Sequence, residues 1–165
     1  MTQPETDHRG SEVLSASICW ELLTAVHGRV GRVAFHDRER LDLRPVNYAV
    51  RDGSLLVRVG PGSMLEAILD DPQAVFETDA VDMYSSPPRA WSVVAHGRLE
   101  PVHVLSELAE AMAVDLHPLA ARPGDVYLVM KVDSVSGRRF FVNDLARPGL
   151  EAILDMRDPA EGPRH

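Results

Sequence analysis

Few of the groups able to do chemistry in this 165-residue chain stand at spacings that catalysis or metal binding requires. The histidines, at positions 8, 27, 36, 96, 103, 117 and 165, include no pair that one helix face would turn toward a metal ion, so no metal site is expected. A single histidine such as His96 can still serve as an axial haem ligand, because one ligand imposes no spacing. Ser63, Ser92 and Cys19 lack the Gly-x-Ser-x-Gly elbow that activates a nucleophile, and Cys19, next to Trp20, reads as a small apolar helix residue. No glycine fingerprint for dinucleotides or nucleoside triphosphates occurs, and no catalytic residue is assigned. What remains is the loop Gly60-Pro61-Gly62-Ser63, directly after a strand that carries Arg58. Backbone N–H groups at a helix start, with a guanidinium nearby, can hold a phosphate. The same residues suit a plain strand–turn–helix connection, which is the reading that spacing alone favours.

Composition narrows the partners. Seventeen basic against 25 acidic residues give a formal charge of -8, which excludes a protein that tracks nucleic-acid phosphates and disfavours anionic membranes. Only Lys131 is lysine, so Schiff-base or lysine–phosphate chemistry has one bearer. With Cys19 as the single cysteine there is no intrachain disulfide, in keeping with a reducing compartment. No charged-then-apolar leader opens the chain and no run approaches a membrane span, so a soluble, cytoplasmic protein is expected. Charge is uneven along the chain. Seven arginines lie between Arg29 and Arg58, whereas residues 59–88 hold six acidic groups and no basic one, so an anion site is expected near the first strands.

The elements that must position these groups follow from periodicity. Ile18, Leu22, Leu23 and Val26 recur at helical spacing after Ser15 or Ser17 as N-cap, with Gly28 as a stop. From Arg29 the period becomes two: Gly31, Val33 and Phe35 share one strand face, and the polar run Asp37 to Asp42 reads as a turn. Val46, Tyr48 and Val50 continue the alternation and put Asn47 on the opposite face. Asp52-Gly53 is a hairpin turn, and Leu55, Val57 and Val59 return with Arg58 facing the other way. Ser63-x-x-Glu66 predicts a capping box opening a helix through Leu69. Strands are expected over 74–79 and from Trp91 to Leu99, a helix over 105–112, and two last strands, 126–132 and 138–142, bent near Ser136-Gly137. The hexapeptide Leu-Glu-Ala-Ile-Leu-Asp at 65–70 returns at 150–155 and predicts two independent short helices. Six or seven strands with hairpin links and three or four short helices indicate a mainly β, α+β protein built on an antiparallel barrel with peripheral helices.

Several segments, in order, resemble the pyridoxamine 5'-phosphate oxidase-like family of FMN-binding split barrels. They are Leu14-Ser15 with Cys19-Trp20-Glu21-Leu22-Leu23, Gly28 to Arg32, Arg44-Pro45-Val46-Asn47-Tyr48, Gly62-Ser63, Val75-Phe76-Glu77, Trp91-Ser92-Val93-Val94, Gly97-Arg98, and Ser136 to Phe140. The resemblance implies an antiparallel split β-barrel of the FMN-binding type that forms a homodimer, with FMN, or a deazaflavin, held between subunits. Carried over by position, the backbone of Pro45, Val46 and Asn47 would lie along the isoalloxazine ring. Arg58 and Ser63 would face the phosphate, with Met64 in the same loop, while Trp91, Ser92 and Arg138 would enter the cleft, across the dimer. The family pattern of this loop reads Arg-Thr-x-x-Gly-Ser-Lys. Here a hydroxyl and an ammonium give way to Val59 and Met64, and one lost charged hydrogen bond costs about 1.5–3 kcal/mol.

The domain organisation that follows is a tail over 1–12, a split-barrel domain over 13–143 and a C-terminal helical appendage over 144–165. The expected function is a flavin-dependent oxidoreductase acting on a small molecule. The alternative is a cofactor-free or haem-loaded dimeric binding protein that has lost the flavin phosphate site.

Overall fold

The computed structural model describes residues 11–25, 30–103 and 124–142. They form β1 (Glu12–Leu14), α1 (Ala16–Ala25), β2 (Val30–Asp37), β3 (Arg40–Arg51), β4 (Ser54–Val59), α2 (Ser63–Asp70), β5 (Gln73–Asp82), β6 (Arg89–Pro101) and β7 (Val126–Phe141). The strands follow the order β1-β7-β4-β3-β2-β5-β6, all antiparallel, and β6 pairs back onto β7. Six strands therefore close on themselves as a barrel, which leaves no exposed sheet edge around that ring. β7 makes the closure. One side of it runs along β6, while the other pairs first with β4, over Val126–Lys131, and then with β1, over Gly137–Arg139.

Alternation places the core inside the ring. Val33, Phe35, Tyr48, Leu55, Val57, Phe76, Val93, Leu99, Leu128 and Met130 are all buried, as the period of two requires. The Tyr48 and Phe76 rings meet edge-on at 4.8 Å. The Tyr48 hydroxyl donates to the Leu23 carbonyl at 3.1 Å, which ties α1 to the barrel. Ser15 Oγ accepts from the Ile18 N–H at 3.4 Å, the N-cap expected for α1.

Four expectations are corrected. The hairpin turn after β2 is only Arg38-Glu39, with Arg38 at φ 59, and the flanking charges belong to the strands. They are polar because this hairpin projects into solvent. The final two strands are one continuous β7, and the irregularity lies between His96 and Gly97 rather than at Ser136-Gly137. Gly137 has a packing role instead, since a Cβ there would come 2.8 Å from Cys19 Sγ. The capping box does not form: Gly62, at φ 149, is the N-cap of α2, and no side chain caps the helix. Glycine's tolerance of that φ lets the helix start one residue earlier, which leaves the Ser63 hydroxyl within the first turn. β1 was missed because three residues carry no readable period. Asp52 and Gly53 do take the positive φ values of the expected hairpin turn. The helix expected over 105–112, the Gly28 stop and the second hexapeptide lie outside the described residues.

Gly97 sits where β6 slips register against β7, and a Cβ there would collide with the Lys131 carbonyl oxygen, a backbone atom that cannot rotate away. Gly97→Ala is expected to destabilise the fold by about 3 kcal/mol, read as a lower urea midpoint. An unchanged midpoint would contradict this packing.

Candidate functional site

The arginine-rich segment is largely self-neutralised. Arg32 holds Glu77 at 2.9 Å and Asp79 at 2.7 Å, Arg40 holds Asp37 at 3.4 Å, and Arg44 holds Asp42 at 2.7 Å. Arg51 meets Asp52 at 3.4 Å and Arg58 meets Asp125 at 3.0 Å. Hydrogen bonds to Asp79 first and Glu77 second hold the Arg32 guanidinium above its ordinary pKa. The local excess of arginine seen in the sequence is thus not a bare positive surface, because Asp37, Asp42 and Asp52 lie within the segment and strand pairing brings Glu77 and Asp79 of β5 and Asp125, just before β7, against it.

Arg58 is the exception in kind. Its register partners are Asn47 on β3 and Tyr127 on β7, so Asn47, Arg58 and Tyr127 form one row across three strands on the outer face of the barrel. The guanidinium lies 5.6 Å from the centre of the Tyr127 ring. Its Nε is buried and makes no hydrogen bond, although Asp125 Oδ2 stands 3.0 Å away. Charge is paired there, but the N–H is not aimed at the oxygen, and direction is what a hydrogen bond needs. The Asp125 side chain is only 7% exposed, against 21% for Arg58. Neither Asp125 nor Tyr127 stood out in the sequence. Their pairing with Arg58 becomes visible only once β4 and β7 are known to be neighbours.

The remaining sequence-selected residues fall in three places. Pro45 is exposed, Val46 is buried in the core and Asn47 is half-buried, as alternation along β3 dictates. Ser63 is exposed at the start of α2, whereas Met64, half-buried, packs against the barrel core, and Val59 is buried within it. On β6 and β7, Trp91 points into the core, while Ser92 lies opposite Arg138 on the outer face, in line with Asp79. The exposed Arg138 donates to its neighbour's carbonyl, that of Gly137, at 3.1 Å.

Two outer-face rows result, and β2 joins them: Val30 pairs with Asn47 and its carbonyl accepts from Thr78 Oγ1 at 3.2 Å, while Arg32, opposite Pro45, holds Asp79, which pairs with Ser92. Tyr127 marks one and Arg138 the other on the same strand, β7. A separate cleft of 790 Å³ lies between the β2–β3 turn and α2, lined by Asp37, Arg38, Glu39, Arg40, Ser63, Glu66, Ala67 and Asp70. It contains four acids against two arginines and neither outer-face row, so its charge favours no phosphate.

Other reactive groups are quiet. Burial pushes the Cys19 thiol above its usual pKa, and Lys131 holds Glu100 at 2.6 Å, which keeps that carboxyl below its ordinary range. Among the described residues no three His, Cys, Asp or Glu side chains converge on a metal position, and no helix is long and apolar enough to cross a membrane.

This architecture is a split barrel of the FMN-binding type. The family model for pyridoxamine 5'-phosphate oxidase matches residues 15–139, and the chain belongs to that family. Among solved structures it is similar to a Corynebacterium glutamicum protein assigned by name to the pyridoxamine 5'-phosphate oxidases. The two are 26% identical over 87% of this chain and 99% of that one, with a TM-score of 0.70. It is also similar to an FAD binding protein of Mycobacterium smegmatis, 28% identical over 78% and 98% of the two chains, with a TM-score of 0.65. An FAD-binding protein of Mesorhizobium loti is 27% identical over 79% and 98%, with a TM-score of 0.61. No curated protein sequence matches it.

The raised thiol pKa keeps Cys19 protonated at neutral pH. Iodoacetamide is therefore expected to leave the folded protein unmodified at pH 8 and to label it only after denaturant is added, as mass spectrometry would read. Rapid labelling of the native protein would contradict the burial.

Proposed function

We propose that the chain is a flavin-dependent oxidoreductase acting on a small molecule, with the flavin, FMN or a deazaflavin, held at the junction of two copies. The observation that carries this reading is the buried, unsatisfied Nε–H of Arg58 in the outer-face row with Asn47 and Tyr127. A buried donor without an acceptor costs about 1–3 kcal/mol, so an anionic or carbonyl-bearing ligand gains by supplying one. A second support is the edge of β3. Its ladder to β4 begins only at Asn47, so the backbone at Pro45 and Val46 is not covered by β4 and can meet the heteroatoms of a flat ring. Membership of the family and the similarity to two FAD-binding proteins point the same way.

The residues present fit a flavin ring well and its phosphate incompletely. Asn47 and the β3 edge would orient the ring, and Arg58 would take the phosphate. Ser92 and Arg138 of a second copy would close the other wall. When bound, the flavin supplies the hydride chemistry, so this chain need contribute no acid–base pair. Tyr127 and the apolar groups beside it, Ala49, Leu56 and Val129, exclude water from the base of the row. A homodimer belongs to this reading because the outer face of one barrel covers a flat ring on one side only, and a second copy would cover the other. The cytoplasm is the compartment proposed, on the single buried thiol and the absence of cysteine pairing.

A second reading, a dimeric split barrel without flavin, is favoured by one observation. Met64 packs against the core where the family loop carries an ammonium group. The visible spectrum of the purified protein, before and after adding FMN, deazaflavin or haemin, separates the two. Flavin bands that survive gel filtration are the expected result, and Arg58→Gln should weaken FMN binding by about tenfold or more. A colourless protein that ignores all three would support the second reading. Binding of haemin alone would support a haem-loaded barrel.

A further inference from the structure

The ion pair that occupies Arg58 has a consequence for which flavin the barrel accepts. Among the described residues the phosphate end of the proposed cleft has one guanidinium, and that guanidinium already faces a nearly buried carboxylate, Asp125, at 3.0 Å. Its central carbon lies over the Tyr127 ring, 5.6 Å from the ring centre. The neighbouring positions add no positive group, since Val59 is in the core and Met64 packs against it. Gly60, in the connecting loop, is close enough that a Cβ there would stand 3.3 Å from Asp125 Oδ1, so the carboxylate also lies against the turn that would embrace a phosphate. A phosphate entering here meets a pair close to neutral instead of a bare cation.

We infer that Asp125 is a specificity-determining residue: by neutralising Arg58 it removes most of the advantage that a terminal phosphate monoester would give a flavin in this cleft. This rests on the flavin reading given above. A monoester carries about -1.5 to -2 charge at neutral pH, whereas each phosphate of a diester carries a single charge. Repulsion from Asp125 falls hardest on the more highly charged group, and the Nε–H can still satisfy the weaker acceptor. Riboflavin, which lacks phosphate, should lose nothing. A flavin whose phosphorus carries two substituents, ester or anhydride, or which has no phosphorus, is therefore held at least as well as the monoester.

The test is a set of fluorescence titrations of the full chain with riboflavin, FMN and FAD, repeated for Asp125→Asn. The wild-type protein is expected to bind FMN no more than about threefold better than riboflavin, with FAD at least equal to FMN. In Asp125→Asn, FMN affinity should rise about tenfold while riboflavin affinity stays the same. If Asp125→Asn does not fold, Met64→Lys reads the same charge deficit and should also raise FMN affinity selectively. A wild-type preference for FMN over riboflavin of about a hundredfold would overturn the inference and leave the flavin reading intact. So would a variant that shifts both ligands equally. Failure of wild-type and variants to bind any of the three flavins would end the flavin reading and the inference with it.

Discussion

The arrangement depends on β7 being shared. Its first half is paired by β4 and its second half by β1, while β6 runs along its other side and closes the barrel. Closure satisfies the backbone groups of six strands at once and fixes which side chains face outward. It also joins the polar outer rows, because β2 lies between them, with Val30 opposite Asn47 and Arg32 against Asp79. The fold thus offers one polar band facing away from the core, with the core itself filled by side chains such as Phe35, Tyr48 and Leu128. A flat ligand on this band is covered on one side only, and the proposed second copy supplies a wall made of the same residues, as two-fold symmetry allows.

Within that frame, charge is managed by pairing across strands. Arg32, Arg44 and Arg58 each have an acidic partner within 3.0 Å. Most of these pairs are exposed and contribute little to stability. Their effect on binding is larger, since an arginine engaged by a carboxylate presents a weaker field to an incoming anion. Arg58 differs by being enclosed, with a donor left unsatisfied, which makes it the place where an acceptor from outside the chain matters most.

Much of this was legible in the sequence, and the parts that were not share a cause. Alternation of apolar residues identified β2 to β6 and the outward face of Arg58 and Asn47, because period-two burial is a local property. Asp52-Gly53 announced its hairpin through the backbone geometry that those two residues tolerate. The capping box misled because Gly62 could take the helix start from Ser63, a choice made by backbone freedom rather than by side-chain type. The bend expected at Gly137 was a close contact with Cys19, and the true irregularity lay opposite Gly97. Asp125 remained invisible because its importance comes from the pairing of β4 with β7, strands far apart in the chain. The resemblance listed Trp91 with Ser92, yet alternation sends one into the core and the other outward.

The central claim is that a flavin cleft is assembled from the Arg58 row of one copy and the Arg138 row of another. Mixing two variants tests it most directly. Arg58→Glu and Arg138→Glu chains should each bind FAD poorly alone; unfolded together and refolded at equal concentrations, they should recover about one quarter of the wild-type sites, since half the dimers are mixed and each mixed dimer keeps one intact cleft. Binding that does not recover, or an Arg138→Glu protein that binds FAD as the wild type does, would contradict the account.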